Sequence, residues 1–283
     1  MARTPKFSIY IPVYKTEQFL DNVFSCIDKQ DYKNIEKIVV VNKNNKEVIK
    51  KSEKWGATVV TIDEDRGAPY ARNRGLEATT GEYILSMDSD TYLFPGALTC
   101  WANGFKKYEE ADFVYTEFEI IDTKARQTII YPGQKFNKYH LACENYINTA
   151  TPIRRRALVT WDEDLKSLQD WDYFWKIVDN GGTGKLLGRF LLYQTEAPRA
   201  DGISVDGSNN MFERRKIVRE KHGVFNRDTC ITTDDYQEEA IVIAEEMGAD
   251  FRASVNHRNA SEYKVIYKLV TNKELINVTT KYV

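Results

Sequence analysis

Short unbroken apolar runs and stretches of helical spacing alternate along the first third of the chain. Phe7 to Val13 is a run that forms a buried strand, closed by Pro12 and Tyr14. Phe19, Leu20, Val23, Phe24 and Ile27 then recur three and four residues apart, which predicts a helix with Thr16 as its N-cap. Ile35 to Val41 is a second, β-branched strand. A Lys-rich helix from about Asn45 to Trp55 follows, stopped by Gly56, and Ala57 to Ile62 makes a third strand. The acidic turn Asp63 to Gly67 leads into a helix with Pro69 in its first turn and its end near Gly81, and Tyr83 to Met87 is the fourth strand. Strands alternating with helices predict βαβ units and a parallel sheet with right-handed crossovers, hence an α/β fold. Such sheets bind ligands beyond the carboxyl ends of their strands. The pattern alone therefore collects Tyr14, Asn42, Asp65, Arg66, Asp88, Ser89 and Asp90 on one rim.

The later pattern is less regular. A helix is expected from Pro95 to Glu110, then a hairpin of Phe113 to Ile121 with Thr128 to Tyr131, and an irregular segment from Asn148 to Trp161. Trp171, Phe174, Trp175 and Val178 set a helix over Leu168 to Val178, ended by Gly181 and Gly182, and Gly184 to Gln194 alternates like a strand. An open stretch, Glu196 to Asn210, precedes a basic helix from about Met211 to His222. After Gly223 an acidic helix, Asp235 to Met247, and two strands, Lys264 to Val270 and Ile276 to Val283, are expected. The division read from this is a first domain over 1–223 and a small α+β extension over 224–283 of unassigned role.

Composition narrows the function classes. The 283 residues are 42% hydrophobic and 29% charged, which describes an ordinary globular protein rather than a disordered one. A net charge of -2 provides no global basic field for nucleic acid, although Arg154 to Arg156 and Arg214 to Lys216 are local basic clusters. The start of the chain lacks a signal peptide's apolar region, and no run of about 18 apolar residues occurs, so the expected location is cytoplasmic, with peripheral action at a membrane left open. Cys26, Cys100, Cys143 and Cys230 show no metal-ligand or redox spacing and are read as reduced and structural.

The chemistry concentrates in Arg72-Asn73-Arg74-Gly75 and, one helix and one strand later, Asp88-Ser89-Asp90. Two carboxylates one residue apart at a strand end offer hard oxygen ligands to a divalent cation, beside a helix start that suits phosphate oxygens. That is equipment for a nucleotide diphosphate.

From about Phe7 to Gly223 the chain resembles a family 2 glycosyltransferase of the GT-A fold. The matching segments are Ile11-Pro12-Val13-Tyr14, the run Asp65 to Gly75, Gly81-Glu82-Tyr83-Ile84, Asp88-Ser89-Asp90, Gln169-Asp170-Trp171-Asp172 and Arg219 to Gly223. The resemblance implies a Rossmann-like, mixed and mostly parallel sheet flanked by helices. It also implies inverting transfer of a sugar from a nucleotide-diphosphate donor, a UDP-sugar first, to a hydroxyl of a glycan or glycoconjugate. A Mn2+ or Mg2+ ion held by Asp90, with Asp88 as a second ligand or ribose contact, would neutralise the departing diphosphate. Inversion needs a base opposite the leaving group. Asp170 takes that role and Asp172 is its reserve. Pro12, Tyr14, Asn42, Arg66, Arg72, Asp88, Ser89, Arg199 and Ser204 fall on donor-binding positions, and Trp171 on the acceptor side.

Three departures from the family pattern stand out. Gln169 replaces a glutamate, Asn42-Lys43-Asn44-Asn45 replaces an acidic segment that helps recognise the base, and no histidine lies between His140 and His222 to complete a metal shell. Asp201 or Asp206 can substitute for that histidine, or the diphosphate and water complete the shell. Two alternatives remain open: a nucleotide-sugar binding protein with its chemistry lost, and a transferase acting on a hydroxylated nucleic-acid base. The latter requires the two basic clusters to share a face.

Overall fold

The computed structural model describes residues 4–122, 126–138, 141, 145–196 and 211–222, together with strands at 238–240, 250–256, 264–271 and 274–281. The chain divides into two compact units: Met1–Phe136 with Tyr146–Ser208, and Asn137–Asn145 with Asn209–Val283. The helix Met211–Lys221, which the sequence reading kept in its first domain, thus falls in the second unit.

In the first unit the opening third follows the predicted alternation: β1 (Phe7–Pro12), α1 (Leu20–Asp28), β2 (Ile35–Asn42), α2 (Lys46–Lys54), β3 (Thr58–Ile62), α3 (Ala68–Ala78) and β4 (Tyr83–Ser86). Then come β5 (Thr91–Leu93), α4 (Ala97–Lys107), β6 (Phe113–Asp122), β7 (Gln127–Tyr131), β8 (Ile153–Arg154), α5 (Gln169–Asp179) and β9 (Gly184–Glu196). The sheet runs β3-β2-β1-β4-β8-β6-β9-β5, with β7 paired on β6. β1 to β4 are mutually parallel along that path, β8 is antiparallel to β4, and β6 and β9 are parallel to each other. The order reverses at β1, because the chain builds outward through β2 and β3 and returns to β4 on the other side. A crevice therefore opens between the carboxyl ends of β1 and β4, where open α/β sheets bind ligands.

The apolar stripe of α1, Leu20, Val23, Phe24 and Ile27, is fully buried with Ile9, Ile11, Val39 and Leu85 in one core. On α3, a Cβ added to Gly75 would stand 2.8 Å from the Tyr10 ring and 3.0 Å from Val40, so the helix approaches β1 and β2 as closely as glycine allows. Asn45 caps α2 by accepting from the Val48 amide at 3.2 Å, and Gly56 ends that region at φ +68°. Thr16 is a correction: a short 3-10 turn, Glu17–Phe19, precedes α1, and the Thr16 side chain caps nothing.

At the amino-terminal ends of the strands, Glu36 ties four neighbours together. Its carboxylate accepts from Ser8 Oγ, from Thr80 N at 2.5 Å and Oγ1 at 2.6 Å, from Gly81 N at 3.1 Å and from Lys6 Nζ at 3.0 Å. In the cluster Arg154 to Arg156, Arg155 and Arg156 are exposed, yet each guanidinium has partners within the protein. Arg154 donates to the carbonyls of Ala111 and Phe105, Arg155 to Gly81 O and Thr79 Oγ1, and Arg156 to Asp112 at 2.8 Å. These guanidiniums tie the end of β8 to α4 and to the turns that precede β4 and β6.

In the second unit α6 is Met211–Lys221, and β10 (Glu238–Ala240), β11 (Asp250–Asn256), β12 (Lys264–Thr271) and β13 (Glu274–Lys281) form an antiparallel sheet in that order. The expected acidic helix over 235–247 is corrected at Glu238–Ala240, which pairs with Ser254–Asn256; cross-strand pairing overrides the helical preference of Glu and Ala there. The rest of that expectation lies outside the described residues. Among the described residues no helix is long and apolar enough to cross a membrane.

Candidate active site

The site is built where β1 and β4 end. β1 delivers Pro12, Val13 and Tyr14, whose ring is 60% exposed, and the backbone turns through Lys15 at φ +54°. Beside it β2 ends on Asn42, partly exposed, whose Oδ1 accepts from the Asn44 amide at 3.0 Å. β4 ends at Ser86, and the next turn carries Asp88-Ser89-Asp90 with Thr91 N donating to Asp88 O at 3.0 Å. Ser89 is an internal brace: it is buried, and its hydroxyl shares a 2.5 Å hydrogen bond with Thr16 Oγ1 across the β1–β4 crevice. The hydroxyl that did not cap α1 thus fixes the acidic turn. Asp88 and Asp90 remain partly exposed on either side of it.

Arg72 has an internal role that the sequence does not announce. The sequence reading put it on donor phosphate, yet it is only 7% exposed and spends both terminal nitrogens inside the protein. Nη2 donates to Asp88 Oδ1 and Nη1 to Gln169 Oε1, each at 2.8 Å. Its guanidinium also lies 4.7 Å from the centroid of the Trp161 ring. One side chain therefore joins the end of β4 to the start of α5.

Trp161 is held in turn by Asn73, which donates to its carbonyl at 3.0 Å and accepts from its amide at 2.8 Å. The Trp161 indole stacks on Tyr173 at 4.1 Å and donates Nε1–H to Tyr10 Oη at 3.0 Å. Burial, offset in part by hydrogen bonds with Ser86 and Trp161, pushes the Tyr10 pKa up to about 12, so this buried phenol stays protonated. Nothing in the sequence pattern marked Trp161.

Asp170 sits in the first turn of α5, partly exposed, just after Leu168, which turns the chain in the left-handed region at φ +56°. Its Oδ1 accepts from the Trp171 amide at 3.0 Å. Burial raises the Asp170 pKa above the usual carboxylate value; the Trp171 amide and Arg72 work against that rise, and Asp88 adds to it. Asp170 and Asp88 thus lie within electrostatic range of each other. Asp172 is corrected as reserve base. It is 0% exposed and faces Lys176 Nζ at 3.1 Å, one turn along the same helix and away from the rim.

Trp171, expected on the acceptor side, is buried with its ring 5.7 Å from that of Trp175, so it packs the helix rather than presenting a face. Arg66 stays exposed at the start of α3, pairs with Glu163 at 3.1 Å and covers the Tyr70 ring at 4.6 Å. Arg199, Ser204, Asp201 and Asp206 lie outside the described residues. Among the described residues no group of three or more His, Cys, Asp or Glu side chains is arranged to hold a metal.

Comparison with known proteins adds what geometry does not supply. The family model described as Glycosyl transferase family 2 matches residues 8–171. An uncharacterized glycosyltransferase of Bacillus subtilis (strain 168), YwdF, is 24% identical over 232 residues, covering 77% of this chain and 85% of YwdF. The structure of S. aureus TarS 1-349 in complex with UDP-GlcNAc superposes with a TM-score of 0.64 at 18% identity, over 75% of this chain and 65% of TarS 1-349. The mannosyltransferase PcManGT from Pyrobaculum calidifontis, in complex with GDP-Man and Mn2+, gives a TM-score of 0.52 at 16% identity, over 71% of this chain and 59% of that one. The fold is thus the GT-A arrangement, as the sequence implied.

Proposed function

The chain belongs to glycosyl transferase family 2, and from that premise we propose that it moves a sugar from a nucleoside-diphosphate donor to an acceptor hydroxyl with inversion, using Asp170 as the base. The observation that carries this reading is the Arg72 bridge, which brings the Asp88-Ser89-Asp90 turn and the start of α5 to one crevice. A displacement needs both sides of the sugar equipped at once.

Donor binding is assigned to the rim. Tyr14 offers a flat exposed face to the base, Asn42 an amide at its edge, and Arg66 a solvent-facing guanidinium for phosphate. UDP-sugars lead, supported by the UDP-GlcNAc complex of TarS, with GDP-mannose second from PcManGT. The donor set fits a divalent ion: Mg2+ or Mn2+ is commonly held by one or two carboxylates and completed by substrate phosphates and water. Asp90 and Asp88 would hold it. When bound, the ion neutralises the departing diphosphate. Asp170 takes the proton of the acceptor hydroxyl as its oxygen bonds to the anomeric carbon and the bond to the diphosphate breaks. Partial burial makes Asp170 a stronger base than an exposed carboxylate. A glycan or glycoconjugate is the proposed acceptor.

The test is release of nucleoside diphosphate from a panel of nucleotide sugars with Mn2+. Asp90→Ala should abolish release, and Asp170→Asn should abolish turnover while leaving nucleoside diphosphate binding within about threefold. A silent Asp90→Ala together with failure to bind any donor defeats the proposal.

A further inference from the structure

We propose that Arg72 and Gln169 form a positioning pair that holds the carboxylate turn after β4 and the base-bearing turn of α5 in one fixed relation. The inference rests on the glycosyl-transfer reading above and deepens it.

The geometry is that of a two-pronged clamp. Arg72 gives one prong to Asp88 Oδ1 and one to Gln169 Oε1, both at 2.8 Å. Gln169 cannot turn its amide around, because Nε2 donates to Leu165 O at 3.1 Å and so fixes Oε1 toward the guanidinium. The Trp161 ring supports the guanidinium face, and Trp161 is itself pinned by Asn73 and Tyr10. A planar fork braced in this way transmits the position of one partner to the other; an ammonium on a flexible stem does not. Asp170 is the next residue after the anchored Gln169, so the prong that reaches Gln169 sets where the base stands.

Gln169 is also one of the three places at which this chain departs from the pattern it resembles, and the fork gives that departure a consequence. A neutral anchor leaves the guanidinium charge undivided for Asp88 and for Asp170, both of which lie in its field. The substitution therefore alters the charge balance without dissolving the clamp. It is compatible with a working site rather than a sign of lost chemistry.

The experiment separates binding from turnover. Hydrolysis of UDP-GlcNAc and of GDP-mannose is followed in Mn2+ by nucleoside diphosphate release, and UDP and GDP affinities are measured by calorimetry. Gln169→Leu should lower kcat about 10- to 100-fold while donor KM and nucleotide affinity stay within about threefold. Gln169→Glu, which keeps an oxygen toward Arg72, should recover turnover to within about fivefold of the parent. Arg72→Lys combined with Gln169→Leu should cost no more than the worse single change, because both break one clamp. If Gln169→Leu does not fold, Gln169→Asn, short by one methylene, serves in its place. Nucleotide affinity that falls in step with kcat, turnover unaffected by Gln169→Leu, or a double variant as slow as the product of the singles would each overturn the proposal. A parent protein that binds neither nucleotide and hydrolyses neither donor overturns instead the functional reading beneath it.

Discussion

Glu36→Gln isolates the strength of the tie at the amino-terminal ends of the parallel strands. Burial alone would raise the Glu36 pKa, but hydrogen bonds from Ser8, Thr80 and Lys6 outweigh it and bring the value from 4.5 down to about 2. A depression of roughly 2.5 units corresponds to about 3 kcal/mol of folding free energy carried by the ionised carboxylate. The Glu36 side chain is 22% exposed, so solvent screening reduces this only modestly. Glutamine keeps the shape and one acceptor but no charge, and should cost about 2 to 3 kcal/mol near neutral pH. The sign with pH follows from a lowered folded pKa: the contribution is complete above the unfolded value near 4.5 and disappears as pH falls through about 2. Urea unfolding of parent and variant should therefore differ most near neutrality and converge as the solution is acidified. The sequence's five tryptophans, Trp55, Trp101, Trp161, Trp171 and Trp175, all lie in the first unit, so tryptophan fluorescence reports the unfolding of that unit alone. Turnover of the folded variant should match the parent, because β2 runs six residues from Glu36 to the rim at Asn42, a span of roughly 20 Å. Equal urea midpoints at neutral pH, or a gap that widens on acidification, would refute the reasoning.

Other outcomes follow from the same structure. Gly75→Ala should destabilise the first unit by about 1 to 3 kcal/mol, seen as a lower urea midpoint, since its Cβ would stand 2.8 Å from Tyr10 and 3.0 Å from Val40. The acidic limb of the kcat profile should fall at a pH above the usual aspartate value of 3.8, because Asp170 must be ionised to act and burial raises its pKa. Arg156→Ala should leave donor hydrolysis unchanged while lowering stability by about 1 to 2 kcal/mol, read by urea unfolding, because Asp112 and two carbonyls lose their donor.

What the sequence disclosed and what it withheld divide by the range of the forces involved. β1 to β4 and the helices between them were legible because each is specified by local spacing: the α1 stripe from Leu20 to Ile27 is periodic, and Asn45 and Gly56 bracket α2. The rim followed from strand ends alone. Side-chain assignments failed where partners are remote. Ser89 meets Thr16 across 73 positions, and Arg72 meets Gln169 across 97, so neither pairing leaves a local trace. Trp171 and Asp172 share the first turn of α5 with Asp170, and only the packing of that helix decides which of the three faces the rim. The two-residue β8 carries no periodicity to read, and the bonds its Arg154 to Arg156 neighbourhood makes to α4 and to the turns before β4 and β6 leave no local trace.

The grip of Asn73 on residue 161 has a bearing on how this region tolerates change. Both of its bonds there reach main-chain atoms, one amide and one carbonyl, so the latch is blind to whatever side chain residue 161 carries. Substitution of the indole removes the platform beneath Arg72 but leaves the loop moored, whereas substitution of Asn73 unmoors the loop with its indole intact. The two duties are therefore separable: changes at 161 act on the support beneath Arg72, and changes at 73 act on the path of the loop.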